Sequence, residues 1–454
     1  MRIPNLAHTT QRRSGWLQVI LLPAVLLLTL PEWVRAAHPE DHFAELRELL
    51  RHASENAPSL EMSAYRVEEA EGERMAAHAA NKPRVHANVR GALSLEQRSD
   101  VDSLETRGLA TAGLQLRQPL YYWGATEATR QVGSLRLEQA ELEAMDARLG
   151  LTRELRMVYL ELVMARDGLR LLESSAATAR EMEATQSELV REGSLPEVEL
   201  LESRITLYDY EEQLVQAKSR VRRLEDRLVL LSGDERARKL GQVSFPEITP
   251  LTPDELHRLR ERIDHTARPP VTVLREEVAL RMEQENHRVI RSSKRPLVDL
   301  VAGISQDQLE SVGQAQYEYR VLYFAGLQVS WNLFDGRETR GRELSSLARQ
   351  RLLELRAEES RQRHRQELMG VFEDLQQNLQ QMLVRDRRDE LAKQRLQLRE
   401  DLAERGQVSR IDLLRDRLHA DDVRMRALRA RVDYLLNLSR IHAALTMELG
   451  TPPN

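Results

Sequence analysis

Residues 191–201 have the sequence Arg-Glu-Gly-Ser-Leu-Pro-Glu-Val-Glu-Leu-Leu, and residues 404–414 have the sequence Glu-Arg-Gly-Gln-Val-Ser-Arg-Ile-Asp-Leu-Leu. Long charged amphipathic segments flank both stretches and meet at the third residue, a glycine. Glycine adopts positive φ without a Cβ penalty, so it suits a tight turn between two helices. Pro196 suits the first turn of the returning helix, and Ser409 suits its N-cap. Each stretch therefore predicts the tip of an αα-hairpin.

The two tips belong to a tandem duplication. A single glycine of this kind is more often an ordinary helix C-cap, but Gly406 follows Gly193 by 213 residues, and other landmarks keep the same offset. The matching pairs are Pro83 with Pro296, Gly113 with Gly326, Leu120 with Leu333, Tyr159 with Phe372, and Leu200 with Leu413. A constant offset over more than a hundred residues indicates two copies of one unit, each with one long helical hairpin.

The composition favours extended helices over globular cores. The chain has 454 residues, of which 31% are charged and only 4% aromatic, with long runs of Leu, Ala, Glu and Arg. This balance is typical of coiled coils. The formal net charge of −5 provides no sustained basic surface, so no nucleic-acid partner is expected.

The N-terminus predicts export. Arg12 and Arg13 precede an apolar run, and Ala36 ends a Val-Arg-Ala cleavage pattern, so residues 1–36 are interpreted as a cleaved signal peptide. An uncleaved signal anchor is the alternative. The chain contains no cysteine, which excludes disulfide bonds and an N-terminal lipidated cysteine. Beyond residue 36 no stretch is apolar enough for a membrane helix, so any membrane-crossing part must consist of β-strands.

Alternating residues predict one β-hairpin in each copy, over 83–120 and 296–334. Polar loops are expected at 97–108 and 306–316. The apolar faces coincide under the 213-residue offset, as expected of a sheet between two different solvents. The alternating apolar positions are Val85, Ala87, Val89, Leu93, Leu114 and Leu116 in the first copy, and Val298, Leu300, Ile304, Val321, Leu327 and Val329 in the second.

The alternative is a soluble β-sandwich with one face exposed to water. Against it, two hairpins alone bury little surface, each strand is long enough to cross a bilayer at a tilt, and the scarce aromatic residues gather near strand ends. The expected membrane-interface aromatic residues are Tyr121, Tyr122, Trp123, Tyr319, Tyr323, Trp331 and Phe334.

Long helices follow each hairpin, over roughly Ala125–Glu192 and Arg337–Arg405. Leu155, Val158 and Leu162 have the 3-4 spacing of a coiled-coil seam. A helix of this length forms a rod of roughly 100 Å. The expected units are an N-terminal helix 37–82, a first helical hairpin 121–232, a linker 233–270, a helix 271–295, a second helical hairpin 335–450 and a disordered tail 451–454.

No catalytic constellation is present in the sequence. There is no nucleotide-binding loop, zinc-protease helix or nucleophile elbow, and the many carboxylates have the spacing of solvated helix faces. The histidines lack the spacing of metal ligands. We therefore expect no enzyme activity, no cofactor and no metal site.

The signal peptide, two strand hairpins and two tandem helical hairpins together resemble the TolC family of outer-membrane efflux proteins. The most specific parts are the two glycine tips and the strand-to-helix junctions 115–121 and 328–336. The resemblance implies a mainly α chain with four β-strands. Three protomers would close a 12-stranded outer-membrane β-barrel on a periplasmic α-barrel.

The resemblance also implies a function. The chain would be a passive exit duct of a tripartite efflux or type I secretion system, partnered by an inner-membrane pump and a periplasmic adaptor, in contact with outer-membrane lipid. The adaptor would dock on the tips, at Arg191, Glu192, Gly193, Ser194, Leu195 and Pro196, and at Arg405, Gly406, Gln407, Val408, Ser409 and Arg410.

The closed tunnel end of this family is often lined by acidic residues early in the last return helix. Asp412 takes the first such position, and Glu199 is its repeat mate. Arg415 stands one turn on, where the family often has a second acid, so a local Asp412–Arg415 salt bridge is an equal alternative.

The rival functions are those of a periplasmic adaptor and of a soluble periplasmic coiled-coil scaffold. Adaptors, however, generally show one hairpin in a β-rich chain.

Overall fold

The computed structural model describes residues 39–96, 105–264, 269–310 and 317–446. The predicted signal peptide 1–36 and tail 451–454 lie outside the described residues. The helices are α1 (Pro39–His42), α2 (Ala44–Asn56), α3 (Pro58–His78), α4 (Ala125–Arg191), α5 (Glu197–Ser232), α6 (Pro253–Asp264), α7 (Val271–Ser292), α8 (Glu338–Glu404) and α9 (Arg410–Thr446). The strands are β1 (Arg84–Glu96), β2 (Glu105–Tyr121), β3 (Leu297–Glu310) and β4 (Tyr317–Ser330).

The N-terminal segment is divided where one helix was predicted. Phe43 and Ala57 both have extended backbone and separate α1, α2 and α3. Ala57 precedes Pro58, and a residue before proline is disfavoured in the helical region because the proline ring clashes with it. Pro58 then begins α3, since its missing N–H is not needed in a first turn. The break lets Phe43 and Leu46 turn into the core.

The four strands form one antiparallel sheet in the order β1-β2-β3-β4. The pairing of β2 with β3 joins the two repeats, so the predicted hairpins are not separate. Both predicted polar loops are wrong in part: residues 105–108 belong to β2, and residues 306–310 belong to β3. Glu105 pairs with Glu96 and Glu310 pairs with Tyr317. Cross-strand pairing thus extends the strands past the point where their own sequence turns polar.

The helices form a layer four elements wide. In one half of the layer the neighbours are α5, α4, α9 and α8 in that order, and in the half next to the sheet they are α3, α4, α7 and α8. The sheet repeats this order, with β1 and β4 at its two edges. One edge of the molecule is therefore built from first-repeat elements, and the opposite edge from second-repeat elements.

The larger of two apolar cores in the described residues lies near the middle of the rod. The repeat mates Tyr159 and Phe372 are both buried there, together with Leu46 of α2 and Leu259 of α6. Phe43 meets Tyr159 edge to face, with ring centroids 5.5 Å apart. The predicted seam residues Leu155, Val158 and Leu162 are buried, and so are Leu428, Val432 and Leu435 of α9. Burial, followed by the neighbouring Glu45 carboxylate, raises the pKa of Tyr159.

Candidate functional site

Both hairpin tips close on a glycine in the left-handed region. The φ angle is 73° at Gly193 and 70° at Gly406. The amide of the next residue donates to a carbonyl five residues back, from Ser194 to Leu189 and from Gln407 to Leu402, each at 2.9 Å. This is the Schellman arrangement, in which an αL residue satisfies the last carbonyls of a helix. The predicted tips are therefore real turns, and the residues from Arg191 to Ser194 and from Arg405 to Gln407 are exposed.

The two return helices, α5 and α9, begin differently at these tips. Pro196 precedes α5 with no side-chain cap, whereas the hydroxyl of Ser409 accepts the amide N–H of Asp412 at 3.1 Å. The same hydroxyl donates to Asp412 Oδ2 at 2.8 Å. Ser409 thus caps α9 as the sequence indicates, and Asp412 reinforces the cap.

The predicted constriction residues lie on exposed helix surface. Arg415 Nη1 lies 3.5 Å from Asp412 Oδ1, so the local pair of the alternative interpretation is formed. Glu199 is exposed. Asp412 therefore contacts the N-cap residue Ser409 and, on its own helix, Arg415, and it remains more than half exposed.

The second tip is fastened to the first hairpin. Arg410 of α9 forms an ion pair with Glu181 of α4, with Nε 2.9 Å from Oε1. Just behind it, Leu414 and Leu418 pack against Met182 in a small separate core. The sequence does not predict this contact, because nothing local indicates which face of α4 meets α9.

The two strand-to-helix junctions share a backbone conformation with positive φ angles. Two consecutive residues have positive φ in each repeat: Trp123 and Gly124 at 53° and 84°, and Gly336 and Arg337 at 62° and 78°. The two pairs obey the 213-residue offset. The conformation is thus kept in both copies although glycine occupies a different member of each pair. A search for glycines alone could not reveal the match.

A buried carboxylate connects the repeats at the foot of the sheet. Asp299 of β3 is fully buried and accepts hydrogen bonds from Arg117 of β2, with Nε 2.9 Å and Nη2 2.5 Å from Oδ2. The hydroxyl of Tyr122 donates to Asp299 Oδ1 at 2.7 Å. A buried carboxylate is tolerated only when paired and hydrogen-bonded in this way. The sequence signal was a lone acid in an otherwise apolar stretch, 297–301.

The sheet has one continuous apolar face. Pairing places Ala87, Leu114, Ile304 and Tyr323 in one row across the four strands. The adjacent rows contain Val85, Leu116, Ala302 and Ala325, and Val89, Ala112, Gln306 and Val321. Val89 is 86% exposed and Tyr323 is 75% exposed, so no part of the chain that the structure describes covers this face.

The predicted interface aromatic residues fall into three groups. Tyr121, Trp123, Tyr323, Trp331 and Phe334 are exposed. Tyr122 is half-buried and binds Asp299. Tyr319 lies in β4, but its side chain lies outside the part that the structure describes. Trp123 and Trp331 are held in place through their indole N–H groups, which donate to the carbonyls of Pro296 at 2.8 Å and Lys294 at 3.1 Å.

Among the helices within residues 39–446 that the structure describes, none combines enough length and apolar character to cross a membrane. In the same described ranges, no group of three or more His, Asp or Glu side chains is arranged to hold a metal ion.

A four-strand sheet with a bare apolar face on a rod of long helices defines the fold of an outer-membrane channel protomer. Solved structures show the same fold. A membrane protein from Pseudomonas aeruginosa matches with a TM-score of 0.69 and 18% identity, covering 88% of this chain and 90% of that one. The outer membrane protein VceC from Vibrio cholerae matches with a TM-score of 0.65 and 17% identity, covering 89% and 98%. The MtrE outer membrane channel of Neisseria gonorrhoeae matches with a TM-score of 0.67 and 15% identity, covering 88% and 88%.

A family model described as outer membrane efflux protein matches residues 49–234. No curated protein sequence matches the chain. The family match over residues 49–234 and the shared fold confirm the resemblance to TolC-like outer membrane efflux proteins that the sequence indicated, and the predicted fold class is confirmed.

Proposed function

We propose that this chain is the passive outer-membrane exit duct of a tripartite efflux or type I secretion system. The observation that carries the proposal is the open architecture. The layer ends in unpaired strands, β1 at one edge and β4 at the other, and the apolar face of the sheet is uncovered. Edge strands and bare apolar faces are liabilities unless a closed barrel in lipid removes both.

Closure requires copies that meet head to tail. Because the two edges differ, α5 of one copy would contact α8 of the next, a heterologous contact that generates a ring when the rotation closes. Both edge helices carry apolar side chains that the protomer leaves more than half exposed. They are Val198, Ile205, Val215 and Leu230 on α5, and Leu344, Leu355 and Leu398 on α8. Three copies would supply twelve strands, enough for a water-filled barrel in the outer membrane.

The assembly proposal is tested on purified protein. Unheated samples should migrate as a trimer on gels and heated samples as a monomer, and the unheated protein should form ion-conducting channels in planar bilayers. A protein that stays monomeric and water-soluble without detergent would instead favour the soluble-scaffold alternative.

The exposed tips are the proposed docking surface for a periplasmic adaptor, which would couple the duct to an inner-membrane pump. Because the chain contains no cysteine, single cysteines can be introduced without background. Ser194→Cys and Gln407→Cys should form cross-links to an adaptor encoded by a neighbouring gene. Ser345→Cys, exposed on α8 far from the tips, is the matched control. Cross-linking at Ser345 but at neither tip would contradict the proposal.

Asp412 is the proposed acidic residue at the narrow end of the duct, where three copies would crowd like charges around the axis. Asp412→Ala should increase conductance and weaken block by divalent cations. Arg415→Ala removes the local partner and keeps the carboxylate, so it should retain the block. Unchanged conductance and block in Asp412→Ala would leave Asp412 only its role in capping α9.

A further inference from the structure

A cationic pocket lies where the rod meets the sheet. A cavity of about 450 Å³ is lined by His287, Arg291, Lys294, Arg295, Glu343 and Leu347. Three cations thus face one carboxylate. Lys294 Nζ lies 2.5 Å from Glu343 Oε2, which leaves the charges of the two arginines uncompensated by that acid. Among the described residues, no carboxylate forms an ion pair with Arg291 or Arg295.

The helix dipole does not account for this cluster. A cation in the last turn of a helix is stabilised by the partial negative charge of the helix end, which would explain Arg291 in α7. However, α7 ends at Ser292, and Lys294 and Arg295 lie beyond it in the connection to β3. Lys294 is paired with Glu343, but Arg295 has no acidic partner among the described residues, and its charge together with that of Arg291 points to a ligand of opposite charge.

Two exposed tryptophans place the pocket relative to the membrane. The guanidinium of Arg295 lies over the ring of Trp123, 4.7 Å from its centroid, and Trp123 packs edge to face on Tyr121. Trp331, 58% exposed, donates its indole N–H to the carbonyl of Lys294. Tryptophan and tyrosine prefer the headgroup level of a bilayer, and arginine and lysine extend into the same layer. The pocket therefore lies at headgroup depth.

We infer that the pocket formed by Arg291, Lys294 and Arg295 binds the headgroup phosphate of an anionic glycerophospholipid in the periplasmic leaflet of the outer membrane. Arginine suits phosphate because its planar guanidinium donates two parallel hydrogen bonds. The adjacent apolar sheet face, with Leu300 and Val329 exposed near its end, would accommodate the acyl chains. This inference rests on the proposed insertion of the sheet in the outer membrane. It adds a lipid preference that a generic barrel would not have.

The tryptophans provide the readout. Of the four in the sequence, Trp16 and Trp33 lie within residues 1–36, so the exported protein after leader removal carries only Trp123 and Trp331. The protein is reconstituted in bilayers that contain either brominated phosphatidylglycerol or brominated phosphatidylcholine at equal mole fraction. Bromine quenches tryptophan on contact, so the ratio of the two quenching efficiencies measures the preference for the anionic lipid. Each cation near an anionic headgroup is worth about a five-fold preference.

We expect the wild-type protein to prefer the anionic lipid by about five-fold or more, and Arg291→Gln/Arg295→Gln to reduce this to near unity. The control Arg288→Gln/Arg351→Gln removes the same charge from two exposed arginines on α7 and α8 outside the pocket, and should keep the preference. No preference in the wild type, or an equal loss in the control, would overturn the inference. So would loss of the preference in excess inorganic phosphate, which would show that a free anion occupies the pocket.

Conductance of the same samples in bilayers of phosphatidylcholine alone separates this inference from the proposed function. Channels without a lipid preference refute only the lipid pocket. Absence of both channels and quenching by either lipid refutes the duct itself, and the pocket with it.

Discussion

The buried ion pair between Glu40 and Arg156 offers the sharpest test of how the N-terminal segment is held. Arg156 Nε lies 3.0 Å from Glu40 Oε2, and a second contact joins Nη2 to Oε1. The side chains are only 6% and 16% exposed. Arg156 also donates to Ser439, whose Oγ lies 3.3 Å from Nη1. The pair fastens α1 to α4 and α9 immediately after the predicted leader.

Removing one partner of a buried pair costs about 3–5 kcal/mol because the other charge stays buried and unpaired. Glu40→Ala leaves the guanidinium of Arg156, the more buried of the two groups, without its anionic partner. We place the cost at the low end, about 3 kcal/mol, since Glu40 lies near the surface and its removal leaves the guanidinium close to solvent. That corresponds to about 100-fold faster amide exchange over residues 39–56. Arg156→Met should cost less, because Glu40 can turn to solvent and the methionine still fills the space.

The double variant Glu40→Ala/Arg156→Met tests whether the unpaired charge of Arg156 causes the loss of stability. Replacing a buried pair by apolar groups is often close to neutral, so the double variant should recover most of the protection that Glu40→Ala loses. Hydrogen–deuterium exchange of the detergent-solubilised protein measures all three variants, with the amides of α5 as internal reference. If the double variant exchanges as fast as Glu40→Ala alone, the stranded charge is not the cause of the loss and the reasoning fails.

Three further predictions concern stability in detergent, measured by circular dichroism. Burial raises the pKa of Tyr434 to about 12, while its hydroxyl accepts the amide of Leu251 at 3.1 Å. Stability that this group contributes is therefore complete below pH 10 and falls by about 2 kcal/mol as the pH rises from 10 to 12. Tyr434→Phe should make the fall shallower, and an unchanged slope would contradict the assignment. Arg337→Gly should stabilise the protein by about 0.5–1 kcal/mol, since φ of 78° strains a residue with a Cβ; a lower melting temperature would show that the arginine side chain matters more. Burial raises the pKa of Asp421, which accepts from Ser175 Oγ at 2.9 Å, so ionising it near neutral pH opposes folding. Asp421→Asn should thus melt at the same or a higher temperature at pH 7 and lose this advantage at pH 4, whereas a lower melting temperature at pH 7 would refute the sign.

Local patterns were enough to predict the repeated elements. The glycine tips, the seam at Leu155 and Leu162 and the alternation from Val85 to Leu93 each reflect a constraint that acts within a few residues. Such constraints are a left-handed turn, a helical period or the period of two along a strand. The duplication strengthened each of these predictions, because a chance pattern would not recur at one offset. The loop prediction was wrong at residues 105–108 and 306–310. There, pairing with a neighbouring strand keeps the backbone extended although the local sequence is polar.

The two repeats, their long helical hairpins and the two-faced strands follow from local sequence, because they depend on the backbone and on side-chain periodicity along one element. The side-by-side arrangement of the two repeats, in a layer with unlike edges, becomes visible only in the folded chain. It also brought Arg117 to Asp299 across 182 residues and Arg410 to Glu181 across 229. The physical reason is that such contacts depend on how faces of distant elements pack, and any of several faces of an amphipathic rod satisfies the same local pattern.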